Sequence, residues 1–303
     1  MLETKRPIWY EKLERERLGN EGYAWFVSRF DEKCPNCPQC RGEREMLVPD
    51  PVTKKYNEDN GNKDSNPMML VTCSTCVRYA RRLSNFTRIY RDTVPPRYRE
   101  ITLKNLKPYG KSTLSTERQQ EVINALKANP EGSYAFFGPP GTSKTTWTTA
   151  LYADLLWKTC MREDYRRVFP VRRISTKLML DQHTDWTMHK HDPDDEFKPM
   201  LMEPEVSSEK IKAASDSGGK FHLFLEEIDK IKETEVRRAN LFEILNSLHD
   251  NYGQLVVNSN LTFNEFSNVF GADFSRRIRD ICAIIDLFPP KERGKRTGPA
   301  TEE

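Results

Sequence analysis

Residues 133–137, SYAFF, form a short apolar run, and Gly138-Pro139-Pro140-Gly141-Thr142-Ser143-Lys144-Thr145 follows without a gap. From Thr146 to Cys160 the apolar residues recur at helical spacing, with Trp147, Ala150, Leu151 and Leu155 on one face. A strand, a glycine-containing loop ending in Lys-Thr, and a helix, in that order, form the setting in which a P-loop has physical meaning. Backbone N–H groups of such a loop converge on phosphate oxygens at the positive end of the helix. Lys144 is placed to reach the β- and γ-phosphates of ATP, and the Thr145 hydroxyl to ligate Mg²⁺. The candidate nucleotide-contacting residues are therefore Gly138, Pro139, Pro140, Gly141, Thr142, Ser143, Lys144, Thr145 and Thr146. One position departs from the pattern. Where glycine is expected before the lysine, to let the backbone approach phosphate closely, the chain has Ser143.

A P-loop needs a second strand ending in acid. Residues 221–229, FHLFLEEID, supply one, with Glu226 and Glu227 at its tip. Carboxylates there hold Mg²⁺ and polarise the attacking water. Glu226 stands where aspartate is usual; its extra methylene favours Mg²⁺ contact through water and leaves Glu227 as the candidate general base. Further strands are expected at Gln254–Asn260, Val168–Ile174 and Ile281–Phe288, and helices near 116–129, 175–188, 206–215, 234–249 and 263–269. Strands alternating with helices imply an α/β fold, a parallel sheet with helices on both faces, and phosphate bound at the carboxyl ends of the strands.

The cysteines point to a second module. Five of the seven, Cys34, Cys37, Cys40, Cys73 and Cys76, lie in the first quarter of the chain. Cys37-Pro-Gln-Cys40 and Cys73-Ser-Thr-Cys76 can each present two thiolates to one tetrahedral zinc. Cys34 extends the first pair to CxxCxxC, so either Cys34 or Cys37 can serve beside Cys40. All five histidines lie beyond residue 180, which makes the expected site a structural Cys₄ zinc site. Cys160 and Cys282 stand alone in apolar surroundings and read as small core residues.

Charge is uneven beneath a net balance of only +3. That balance excludes a uniformly basic coat, yet residues 78–107 carry nine basic residues against Asp92 and Glu100. Tyr79, Leu83, Phe86 and Tyr90 fall at helical spacing there, which suits an amphipathic linker helix; the same mixture of basic and aromatic residues suits a nucleic-acid backbone. Residues 190–205 form an acidic, proline-broken insertion, and the tail 289–303 lacks large apolar residues. Val94-Pro95-Pro96 cannot continue a helix. We expect an N-terminal zinc- and partner-binding module at 1–93, a basic linker at 94–107, an ATPase domain at 108–288 and a disordered tail at 289–303. No apolar run reaches the roughly 18 residues needed to cross a bilayer and the N-terminus has no apolar signal core, so a cytoplasmic location is expected.

GPPGTSKT, LFLEEID, VVNSNLT and FSRRIRD, in that order, resemble the motifs of an AAA+ ATPase. VPPRYREITLKNL ahead of the P-loop and NSNLTFNEF after the third strand are similar to DnaC/DnaI-type bacterial helicase loaders and IstB-like transposition ATPases. The cysteine module is similar in kind to that of DnaI-like loaders. The resemblance implies that Asn260 is a sensor of the γ-phosphate or attacking water. It also implies that Arg277, or its neighbour Arg276, is an arginine finger reaching a neighbouring subunit, with Arg279 a weaker choice; a plain basic helix face is the other reading of the three. It further implies nucleotide-dependent homo-oligomerisation as a ring or filament and contact with single- or double-stranded DNA. The partner would be a replicative helicase, or a transposase on the second likeness; weakened hydrolysis would make the chain a nucleotide-gated adaptor. About 15 residues follow Phe288, too few for a C-terminal helical lid, and these loaders resemble the chain in lacking one.

Overall fold

A computed structural model of the chain describes residues 45–50, 54–55, 59, 68–72, 74–161, 171–189, 204–230 and 234–288. The chain divides into two compact units, Met1–Glu100 and Ile101–Glu303.

In the first unit β1 (Glu45–Pro49) and β2 (Met68–Thr72) pair antiparallel, with Leu47 opposite Leu70. Helix α1 (Ser74–Thr93) follows. Its Leu83, Phe86 and Tyr90 are buried at the three- and four-residue steps of a helix face, and the Phe86 and Tyr90 rings stack 5.5 Å apart. Arg88 and Arg91 are exposed, so the segment is an amphipathic helix. It stops before Pro95-Pro96, where Arg99 Nε donates to Val94 O at 3.0 Å and the Tyr90 hydroxyl donates to Arg99 O at 3.1 Å. Cys34, Cys37, Cys40 and Cys73 lie outside the described residues, and Cys76 falls in the first turn of α1.

The second unit is an α/β fold. Its elements run α2 (Thr116–Ala128), β3 (Tyr134–Phe137), α3 (Lys144–Met161), β4 (Val171–Ser175), α4 (Thr176–His189), α5 (Ser208–Asp216) and β5 (His222–Glu226). They continue with a 3-10 turn (Ile228–Lys230), α6 (Glu235–Asp250), β6 (Gln254–Ser259), α7 (Phe263–Phe270), α8 (Ala272–Ile281) and β7 (Ala283–Asp286). The five strands are parallel in the order β4-β5-β6-β3-β7. Every residue of β3 and β6 is buried, as strands covered on both faces must be. Phe137 packs edge-on against Phe263 and Phe266, and Phe266, Phe270 and Phe274 continue that cluster under α7 and α8. Cys160 and Cys282 are both buried, and burial pushes the Cys160 thiol up to about 12.

Helix starts follow local chemistry. Ser115, Ser207 and Thr234 each accept a backbone N–H as N-caps, and Thr262 with Glu265 forms a capping box. The last strand is shorter than the expected 281–288. A helix, α8, occupies residues up to Ile281, burying Phe274, Ser275 and Ile278 on one face. Residues 190–203 of the acidic insertion and the tail from 289 lie outside the described residues. Among the described residues no helix is long and apolar enough to cross a membrane.

Candidate nucleotide site

The loop Gly138–Ser143 leaves the end of β3 and enters α3 at Lys144. Its start is fixed by backbone. Gly138 N donates to Ser259 O at 3.2 Å, and Leu287 N donates to Phe137 O at 2.7 Å. A Cβ on Gly138 would lie 2.6 Å from Leu287 Cβ, closer than atoms can pack, so only glycine fits. Gly141 has φ +86, the left-handed region that favours glycine. Ser143 has φ +70, so a left-handed backbone is a second reason, beside close approach to phosphate, why glycine suits that position. Its hydroxyl oxygen is buried with no hydrogen-bond partner among the described residues. The Thr142 hydroxyl donates to Pro139 O at 2.9 Å. Thr145 and Thr146 lie in the first turn of α3, where backbone N–H groups have no intrahelical partner.

Lys144 is 8% exposed. Its ammonium donates to Gly138 O at 2.5 Å and Pro139 O at 2.9 Å, so the loop carbonyls curl around it. Burial brings its pKa down to about 8, while the charge of Asp229 opposes the shift. A desolvated cation at a helix N-terminus, beside a buried unsatisfied hydroxyl, fits an incoming phosphate.

One flank of this loop was not evident from the sequence. Ser112 Oγ and Thr113 N both donate to Gly141 O at 3.3 Å. Buried Gln119 holds that segment by accepting from Tyr109 N and donating to Tyr109 O and Leu114 O. The signal was weak: a glutamine on the inner face of a helix that otherwise buries Val122, Ile123 and Leu126.

At the end of β5 each carboxylate has a different partner. Glu226 Oε1 accepts from Arg173 Nε at 2.8 Å and Nη2 at 2.5 Å. Arg173, in β4, is 3% exposed at its side chain against 30% for Glu226, and its guanidinium also lies 5.7 Å from the Tyr152 ring centroid. The candidate Mg²⁺ ligand is thus committed to a protein cation in this state. Glu227, the candidate base, is exposed, has φ +55 and accepts from Lys230 Nζ at 2.5 Å, which raises the Lys230 pKa. Asp229 accepts from Asn260 N at 2.9 Å and Asn260 Nδ2 at 3.0 Å. Two of the three non-glycine residues at positive φ among those described, Ser143 and Glu227, therefore belong to this site. The sequence reading missed Arg173 and Asp229; a charged residue inside a buried strand, VRRIS, was the available sign of the first.

On α8, Arg276 pairs with Asp273 at 3.2 Å and Arg279 lies 4.5 Å from the Phe263 ring centroid. Arg277 is half-buried and has no ion-pair partner among the described residues. Among the described residues no group of three or more His, Cys, Asp or Glu side chains is arranged to hold a metal ion.

Strand, glycine-containing loop and helix stand together at the carboxyl edge of a parallel sheet. The fold is α/β, a five-stranded parallel sheet with helices. No protein-family model matches the chain, and no curated protein matches it in sequence. Solved structures do match. The DnaC helicase loader aligns at 13% identity over 63% of this chain and 99% of its own, with a TM-score of 0.43. AMPPCP-bound DnaA from Aquifex aeolicus aligns at 14% identity over 62% of this chain and 50% of its own, with a TM-score of 0.43. DnaI aligns at 15% identity over 65% of this chain and 93% of its own, with a TM-score of 0.39.

Proposed function

We propose that the second unit binds and hydrolyses ATP and works as a helicase-loader-type ATPase on DNA. The observation that carries the ATPase reading is the placement of Lys144 at the end of the loop after β3, Glu226 at the end of β5 and Asn260 after β6, all at the carboxyl edge of one parallel sheet. Mg²⁺ bound with ATP would withdraw charge from the β- and γ-phosphate oxygens. The chain's residues do the rest. Lys144 exchanges the carbonyls of Gly138 and Pro139 for phosphate oxygens, and the N–H groups of the loop and first helical turn hold the phosphates in register. The Thr145 hydroxyl and, through water, the Glu226 carboxylate now paired with Arg173 would hold the metal. Glu227 accepts the proton of the attacking water after leaving Lys230. Arg277, with no ion-pair partner among the described residues, is the residue available to a neighbouring subunit's γ-phosphate.

The helicase-loader part rests on the sequence motifs. In that reading the N-terminal module, built on zinc held by Cys37, Cys40, Cys73 and Cys76, receives the helicase; elemental analysis of metal-clean protein tests the zinc. The ATPase reading is tested by titrating the full chain with a fluorescent ATP analogue and measuring phosphate release. Lys144→Ala should weaken binding by roughly tenfold to a hundredfold, the scale of a lost charge-assisted contact of about 1.5–3 kcal/mol. Unchanged binding would reject the site.

A further inference from the structure

Three carboxylates crowd into the four positions that begin with the last residue of β5, and they are not equivalent. Glu226 and Glu227 each take a cation, Arg173 and Lys230. Asp229 takes no cation through a hydrogen bond among the described residues. Both its oxygens accept from one residue, Asn260, through the backbone N–H and the side-chain amide.

That grip has a specific consequence. Asn260 follows β6, the strand paired with β5, so Asp229 ties the ends of two adjacent strands. The turn carrying Asp229 is itself anchored, by fully buried Ile228 and by Lys230 N donating to Glu227 O at 3.0 Å. A carboxylate only accepts, so it also decides which end of the Asn260 amide faces it. The nitrogen is turned to Asp229. The Oδ1 carbonyl and the second amide N–H are left as the groups Asn260 can offer a ligand, with no partner among the described residues.

We propose that Asp229 is a positioning residue: by gripping Asn260 at two points it sets the side chain that meets the terminal phosphate or its attacking water. The inference rests on the ATPase reading above and names a residue that reading does not use. Its field also favours the charged form of Lys144, which places the Asp229 carboxylate within electrostatic reach of the phosphate-binding ammonium.

The test uses the full chain carrying Asp229→Ala, Asp229→Asn, Asn260→Ala and the double substitution Asp229→Ala/Asn260→Ala, with thermal melts to confirm folding. In nucleotide-free protein labelled with ¹⁵N-asparagine, the Asn260 backbone amide should lose its hydrogen-exchange protection in Asp229→Ala. Turnover should fall about 10–100-fold, the scale on which misplaced groups lose rate, while analogue affinity changes less than about threefold. Asp229→Asn keeps one acceptor and should lie between. The double variant should turn over no more slowly than Asn260→Ala alone, because one residue acts through the other. Multiplying losses, or equal loss of affinity and turnover, overturn the inference. An Asn260 amide indifferent to Asp229→Ala overturns it whatever happens to turnover. A folded wild type with no turnover sinks the hydrolysis reading instead, and the amide measurement, made without nucleotide, then decides the Asp229–Asn260 grip alone.

Discussion

The P-loop and the acidic tip of β5 stand at the same edge of one sheet, separated by β6, and are built in opposite ways. The P-loop is a backbone object. Its shape is set by Gly138 pressed on Leu287, by left-handed residues at Gly141 and Ser143, and by main-chain hydrogen bonds from Gly138 N to Ser259 O and from Thr113 N to Gly141 O. The acidic tip is a side-chain object, in which Arg173, Lys230 and Asn260 divide three carboxylates between them. A backbone device holds its form with or without ligand. A set of side-chain pairs has to be re-paired before its carboxylates can serve a metal or a water, which is where such a site can be gated.

The largest expected effect breaks the buried pair. Arg173 is almost wholly enclosed while Glu226 keeps access to water. Glu226→Ala strands a buried guanidinium and should destabilise by about 3–5 kcal/mol. Arg173→Leu leaves a carboxylate that water can reach, and should cost less. Urea unfolding of the two variants checks the order. A larger loss from Arg173→Leu would show that Glu226 is the residue that depends on the pairing.

This contrast also explains what could be read from the sequence. Strand–loop–helix order, the acidic strand and the strand ending in Asn260 follow from period and from small residues at fixed spacing, and the structure has elements at Tyr134–Phe137, Lys144–Met161, His222–Glu226 and Gln254–Ser259. Partner choice does not follow from spacing. Arg173 meets Glu226 across 53 positions and Asn260 meets Asp229 across 31, through a sheet order that no local pattern states. Helix α8 was not among the expected helix ranges, though a basic helix face was one reading of its three arginines; it is short, polar on one side and follows Gly271 at φ +89.

Two substitutions probe the backbone device with opposite signs. Gly138→Ala drives a methyl into Leu287 and should cost about 1–3 kcal/mol, as overpacking does. Ser143→Gly relieves a left-handed non-glycine residue and removes a buried hydroxyl that has no partner among the described residues. The conformational relief is about 1–2 kcal/mol, partly offset by the greater freedom of glycine in the unfolded chain, so a net gain of about 1 kcal/mol is expected. Thermal unfolding decides; a loss of stability in Ser143→Gly would mean the serine makes a bond that offsets its strain.

The remaining effect is a matter of pH, and it joins the two regions. Lys144 titrates near 8 in the folded protein against 10.5 ordinarily, chiefly because burial disfavours its charge. Below pH 8 both folded and unfolded chains carry the proton, and the full burial penalty is present. Between about 8 and 10.5 the folded chain has released it and the unfolded chain has not. The unfolded state then binds more protons, so stability due to this group rises with pH across that window. Lys144→Met lacks the group, and its stability relative to wild type should therefore decline steadily from pH 8 to 10.5 when melts are compared at each pH. Adding Asp229→Ala to both proteins removes the opposing charge and should move the start of that window to lower pH. A difference between wild type and Lys144→Met that ignores pH would mean the ammonium is not held in the dry, carbonyl-lined loop on which its proposed phosphate-binding role rests.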